Sequence, residues 1–155
     1  MVGASRGGAS AIIADRVNIV PLVVGEVMTV DQIIYVKGGA VAGNLRAGIY
    51  SAPDGNTPDG NPLLVDSGVV ACAALNNRKQ AIPITPTVIE PPIVWVAIGF
   101  DNIGMEISWG GGFWYQGDEP NCRYYDLGAW GPLDDPCPAT TDPNLPINAW
   151  LRKVL

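Results

Sequence analysis

The chain has 155 residues, with nine Lys and Arg against fifteen Asp and Glu, no histidine and a formal net charge of −6. The missing histidine excludes Ser-His-Asp and Cys-His catalysis, histidine-ligated metals and a histidine pH switch. The acidic balance, without a basic run, argues against nucleic-acid and anionic-membrane binding.

The first fourteen residues, rich in Gly, Ala and Ser, read as a flexible arm. They lack the long apolar stretch of a signal peptide. Apolar runs such as Ile19 to Val24 are far below the roughly 20 residues that span a bilayer. Neither an exported nor a membrane-spanning chain is expected. Residues 15–155 are expected to form one domain, a length sufficient for a core of its own.

The hydrophobic period is short throughout. Asp15 to Val24 predicts a first strand, with Pro21 marking an edge or a kink. Glu26 to Lys37 is rich in β-branched residues and predicts a second. Asn44 to Ser51 alternates, with Leu45, Ala47 and Ile49 on one side and Arg46 and Tyr50 on the other. The stretch Asp54 to Pro62 holds two Asp-Gly turn signals and predicts a loop. Leu63 to Ala74 predicts a strand, with Asp66-Ser67-Gly68 as a turn or bulge that redirects it. Gln80 to Thr85 alternates again and is broken by Pro83.

Ile93 to Phe100 is apolar at nearly every position, as a central strand buried on both faces requires. Trp95, inside that run, is therefore expected to be buried. Met105 to Trp109 and Pro146 to Leu155 complete the pattern. No stretch longer than ten residues shows a helical period, and the 19 Gly and 14 Pro disfavour long helices. The expected fold class is all-β, a jelly-roll-like β-sandwich with a long aromatic-rich loop excursion over residues 102–146.

Three cysteines are present and none forms a Cys-x-x-Cys pair. Cys72 sits in an apolar context that suggests a buried thiol. Cys122 and Cys137 flank a loop-like segment and form a candidate disulfide, two free thiols being the other reading. If closed, a loop of about 15 residues contributes about 3 kcal/mol.

Nine of the twelve aromatic residues lie between Trp95 and Trp130. Among them Trp109, Trp114, Tyr115 and Trp130, with the carboxylates of Asp118 and Glu119, form a candidate interface or glycan platform. Flat rings stack on sugar faces, and carboxylates accept hydrogen bonds from sugar hydroxyls. Trp and Tyr equally supply rigid amphipathic area to protein interfaces. Packing of the rings over one end of the core explains the same composition.

The loop Asp54-Gly55-Asn56…Asp59-Gly60-Asn61 offers oxygen ligands but lacks EF-hand spacing, and turn formation explains its residues. Asp101 and Glu106 are conceivable carboxylate partners, although no glycosidase dyad can be read from sequence position. No catalytic, cofactor or metal site is expected.

The run Asp15-Arg16-Val17-Asn18-Ile19-Val20-Pro21 opens a longer pattern. Met28-Thr29-Val30-Asp31-Gln32-Ile33, Arg46-Ala47-Gly48-Ile49-Tyr50, Leu63-Leu64-Val65-Asp66-Ser67-Gly68 and Val94-Trp95-Val96-Ala97 follow it in order. The series resembles a jelly-roll module of tailed-phage virion proteins of the tail-fibre, head-fibre and decoration types. It spans roughly residues 15–101. Where the family pattern has Gly-x-Tyr-Trp, this chain has Pro91-Pro92-Ile93-Val94-Trp95.

The resemblance implies a non-enzymatic virion structural protein, assembled in the host cytoplasm, that docks on a major capsid or tail protein. It implies a homo-oligomer, with a trimer favoured. The alternative function is a carbohydrate-binding module that recognises a host-surface glycan.

Overall fold

The computed structural model describes residues 5–11, 14–39, 42–54, 57–72, 78–102, 106–111, 123–141 and 149–154, with the backbone alone described for 5–11 and 106–111. Among these residues there are eleven strands and no helix. In chain order they are β1 (Ser5–Ala11), β2 (Arg16–Val23), β3 (Met28–Lys37), β4 (Gly43–Ala52), β5 (Leu63–Asp66) and β6 (Val70–Cys72). Then come β7 (Arg78–Ile89), β8 (Ile93–Phe100), β9 (Glu106–Gly111), β10 (Arg123–Asp126) and β11 (Ala149–Lys153).

They build two antiparallel sheets. In the first, β3 is central. β7 pairs with it from Met28↔Ile89 to Lys37↔Arg78. Its other edge carries β11 along Val30 to Tyr35 and β9 at Lys37, and β1 pairs with β9. In the second sheet the order is β10-β2-β8-β4, and both β5 and β6 lie along β4.

The sheets pack face to face across one apolar core. Val30, Ile33, Tyr35, Ile82 and Ile89 of the first sheet meet Leu45, Ile49, Val94, Val96, Ile98 and Phe100 of the second. Period-2 alternation decides which residues enter it: Ile33 opposite Ile82 and Leu151 points in, Ile34 opposite Ala81 and Trp150 points out. A polar chain crosses between the sheets. The Tyr35 hydroxyl donates to Gln80 Oε1 at 3.1 Å, so the Cys72 thiol is left to donate to Tyr35 Oη at 2.9 Å. Gln80 Nε2 in turn donates to the Ala71 carbonyl at 2.8 Å.

β8 is buried on both faces, as its unbroken apolar run predicts. Val94, Val96, Ile98 and Phe100 face the first sheet. Trp95 and Ala97 face the opposite way, into a second cluster with Val17, Ile19, Tyr50, Tyr125, Leu133 and Cys137. Trp95 is fully buried there, and its indole N–H has no hydrogen-bond partner among the described residues.

Four expectations change. Residues 5–11 are not a loose arm but pair with β9. Leu63 to Ala74 splits at the Asp66–Gly68 turn into β5 and β6. The β7 strand runs through Pro83 and Pro86, which an edge strand tolerates because its outward N–H groups need no ladder partner. Residues 102–146 are not an excursion throughout: β9 joins the first sheet, β10 joins the second, and Leu133 and Cys137 close over β8. Removing 110–135 would therefore strip the second cluster of Tyr125 and Leu133 rather than trim a loop.

Candidate functional site

The segment after β10 is held on the second sheet by polar clips as well as by apolar packing. Tyr50 Oη donates to the Asp134 carbonyl at 2.7 Å. This leaves the Tyr125 hydroxyl to donate to Tyr50 Oη at 2.9 Å, and Tyr125 Oη accepts from the Asp134 N–H at 3.4 Å. Burial pushes the Tyr50 hydroxyl far above its usual range and the Tyr125 hydroxyl up to about 12. Burial also pushes the Cys137 thiol up to about 12, aided by Asp59 and Asp134 nearby.

The motif residues of the first half act in this same device. Gly48 has no room for a Cβ: one built there would lie 2.5 Å from Leu133 Cδ1 and 2.7 Å from the Val65 carbonyl oxygen. Asp66 accepts from Arg46 Nη1 at 3.1 Å, from the Gly68 N–H at 2.7 Å and from the Leu133 N–H at 3.2 Å. Gly68 has φ of 69°, a left-handed conformation that glycine adopts without strain. Ser67 Oγ accepts from the Ala47 N–H at 3.0 Å. Arg46 thus pairs with Asp66, whereas Asp31 pairs with Arg152.

Asp59 of the acidic loop is likewise tied into the cover. Asp59 accepts from the Thr140 hydroxyl and N–H and lies 3.6 Å from Arg123 Nη1. The Asp101 carboxylate receives both the backbone N–H and the side-chain amide of Asn44, at 2.9 and 2.7 Å. Among the described residues no group of three or more Cys, Asp or Glu is placed to hold a metal ion, and no helix is long and apolar enough to cross a membrane.

Of the residues expected to form the aromatic platform, Trp130 alone has a described side chain. Trp109 lies on β9, of which the backbone alone is described. Trp114, Tyr115, Asp118, Glu119 and Cys122 lie outside the described residues. Trp130 is half-buried, and its ring edge stands 3.8 Å from where a Gly99 Cβ would be, so it leans on β8 as part of the cover. Cys137, the other half of the candidate disulfide, carries a free thiol and is 2% exposed.

Among the described residues, the outer face of the first sheet stands open. Register places Ile34 between Ala81 and Trp150, with Val36 beside Lys79 and Gln32 between Pro83 and Arg152. Trp150 is 41% exposed, and the Lys79 ammonium lies 5.0 Å from its ring centroid, within cation–π range. The face runs on to Val88, 54% exposed. Beside it a shallow depression of about 300 Å³ is lined by Asp31, Arg152, Lys153 and Val154. The Arg152 guanidinium holds the Asp31 carboxyl below its usual range by hydrogen bonding.

Aromatic density in the sequence points away from Trp150, which stands alone near the end of the chain. The signal that does mark it is the alternation Ala149-Trp150-Leu151-Arg152, in which the bulkiest ring shares a side with arginine while Ala149 and Leu151 point in. No protein-family model matches the sequence, and neither a curated protein nor a solved structure matches it.

Proposed function

We propose that the chain is a non-enzymatic virion structural protein of a tailed phage, a jelly-roll-type decoration or fibre module that docks on a capsid or tail protein as a homo-oligomer. The observation that carries this reading is the open outer face of the first sheet. It is a regular surface with an exposed Trp on β11 and a neighbouring Lys on β7, and aromatic residues are enriched where proteins meet one another. Support also comes from the residues that carry the family resemblance. Arg46, Gly48, Asp66, Ser67 and Gly68 form one mechanical unit that shapes the second sheet and its cover. Residues with such a role speak for a shared architecture more than for a shared ligand.

The test is to isolate particles from cells that carry the gene and quantify their proteins by mass spectrometry. The reading predicts this chain at a fixed copy number relative to the major capsid or tail protein. Its absence from purified particles would overturn the reading.

The glycan-binding reading has one observation in its favour, the exposed Trp150 ring. Against it, the Lys79 ammonium already lies over that ring, where a sugar would stack. Binding to a glycan array that is lost in Trp150→Ala would establish it instead.

A further inference from the structure

Strand β11 is an edge strand: among the described residues it pairs with β3 and with no other strand. It is five residues long and sets Ala149 and Leu151 against the core. Strand β8, by contrast, is paired on both sides and buried along its length. The outward side chains of β11 are fastened by charge. Arg152 Nε donates to Asp31 Oδ1 at 2.8 Å, and its Nη2 donates to Oδ2 of the same carboxylate. Lys153 Nζ donates to Glu26 Oε1 at 2.5 Å. One backbone bond continues the strand, from the Val154 N–H to the Thr29 carbonyl at 2.8 Å.

From this arrangement we infer that β11 is an acid-released strap: protonation of Asp31 and Glu26 lets it leave β3 while the rest of the sandwich stays paired. Both of its carboxylate anchors lie elsewhere in the chain, Asp31 on β3 and Glu26 just before it. Hydrogen bonding to Arg152 and Lys153 holds these carboxyls below their ordinary values of 3.8 and 4.5. A lowered folded-state pKa means that the native state favours the ionised acid. The hold on β11 is therefore complete above the ordinary values and is lost as pH falls through the lowered ones. Protonation then leaves Arg152 and Lys153 as adjacent cations without their partners. The β7 stretch that faces this part of β3, Pro83 to Thr87, carries no charge. Lys79 of β7 stays cationic over the Trp150 ring, and Glu90 follows Ile89, the partner of Met28. Elements with few buried contacts open before the core does. Release uncovers the edge of β3 from Val30 to Tyr35, a row of backbone groups that can pair with another strand, and takes the Trp150 ring off the outer face. It is a property of the single chain and stands whatever that face binds.

Backbone hydrogen exchange of the full chain, followed by NMR from about pH 7 down to about pH 3, tests this. Rates are read as protection factors, so that the intrinsic pH dependence of exchange cancels. The β11 amides that bond β3, with that of Val154, are compared with those of β8. Over this range β11 protection should fall roughly tenfold relative to β8, a size that two exposed ion pairs allow. The double variant Asp31→Asn, Glu26→Gln should show the low β11 protection already at about pH 7, with β8 unchanged and the acid response of β11 gone. Arg152→Gln cuts the same tie from the other side and serves should the double variant not fold.

Parallel loss of protection in β11 and β8 would mean that acid loosens the whole sandwich, which overturns the inference. So would β11 protection that holds down to about pH 3, or variants that keep the wild-type acid response of β11.

Discussion

The two sheets of this protein have the same backbone period, yet their outer surfaces meet opposite ends. The outer face of the second sheet presents Trp95, Ala97, Val17, Ile19 and Tyr50, and the chain returns to bury it under Tyr125, Leu133 and Cys137. The outer face of the first sheet presents Trp150, Ile34, Val36 and Ala81, mixed with Lys79, Gln32 and Arg152, and stays open. Both faces carry a tryptophan. What separates them is the company it keeps: a ring among apolar neighbours is sealed within its own molecule, whereas a ring beside Lys and Arg stays at the surface. A side chain's place in the architecture follows from its row across the sheet more than from its own chemistry.

The largest effect expected from breaking this contrast is at Trp95. Trp95→Ala removes a fully buried ring and should lower stability by about 3–5 kcal/mol, measured by denaturant unfolding. An unchanged midpoint would mean that the cover does not seal this face.

Leu133→Ala removes the side chain that the cover sets over Gly48 and should cost about 2–5 kcal/mol. The reverse lesion, Gly48→Ala, drives a methyl against Leu133 and against the Val65 carbonyl, and the carbonyl belongs to a paired strand that cannot step aside. It should cost about 1–3 kcal/mol. In the double variant the truncated Leu133 yields part of the space, so the combined cost should fall short of the sum of the two. Full additivity would place Leu133 elsewhere.

A smaller, pH-dependent effect sharpens the same contrast. The Cys137 thiol and the Tyr125 hydroxyl are each pushed up to about 12 under the cover. A raised folded-state pKa means that the native state holds its proton more tightly than the unfolded state. The contribution to stability is therefore complete below the ordinary thiol value of 9.0 and is lost as pH rises through the window up to about 12. Stability should fall across that window, and Cys137 should resist a thiol reagent at about pH 8, where the unfolded thiol begins to ionise, until the protein is unfolded. Rapid labelling of native Cys137 would contradict the burial.

The smallest effect is expected at Trp150. Trp150→Ala should change the stability of the monomer by no more than about 0.5 kcal/mol, as is usual for exposed positions.

Local pattern alone makes part of this architecture legible. The unbroken run Ile93 to Phe100 requires burial on both sides, and the strand has it. Gly48 inside a strand signals a close approach, and the Leu133 side chain and the Val65 carbonyl make it. Asp66-Ser67-Gly68 signals a turn, and its hydrogen bonds form one. The cover is not legible in the same way, because its determinants are remote from one another. Tyr50 meets Tyr125 and Gly48 meets Leu133 across long stretches of chain, and no local period records such a pairing. Aromatic density draws attention to residues 109–130, whereas the exposed ring on the outer face of the first sheet is a single tryptophan on the edge strand β11.

Hydroxyl-radical footprinting of the monomer, read by mass spectrometry at each tryptophan, tests the contrast between the two faces most directly. The sealed second sheet and the open first sheet predict rapid oxidation at Trp150 and strong protection at Trp95. Comparable oxidation of both rings, or protection of Trp150 in a chain shown to be monomeric, would contradict the account.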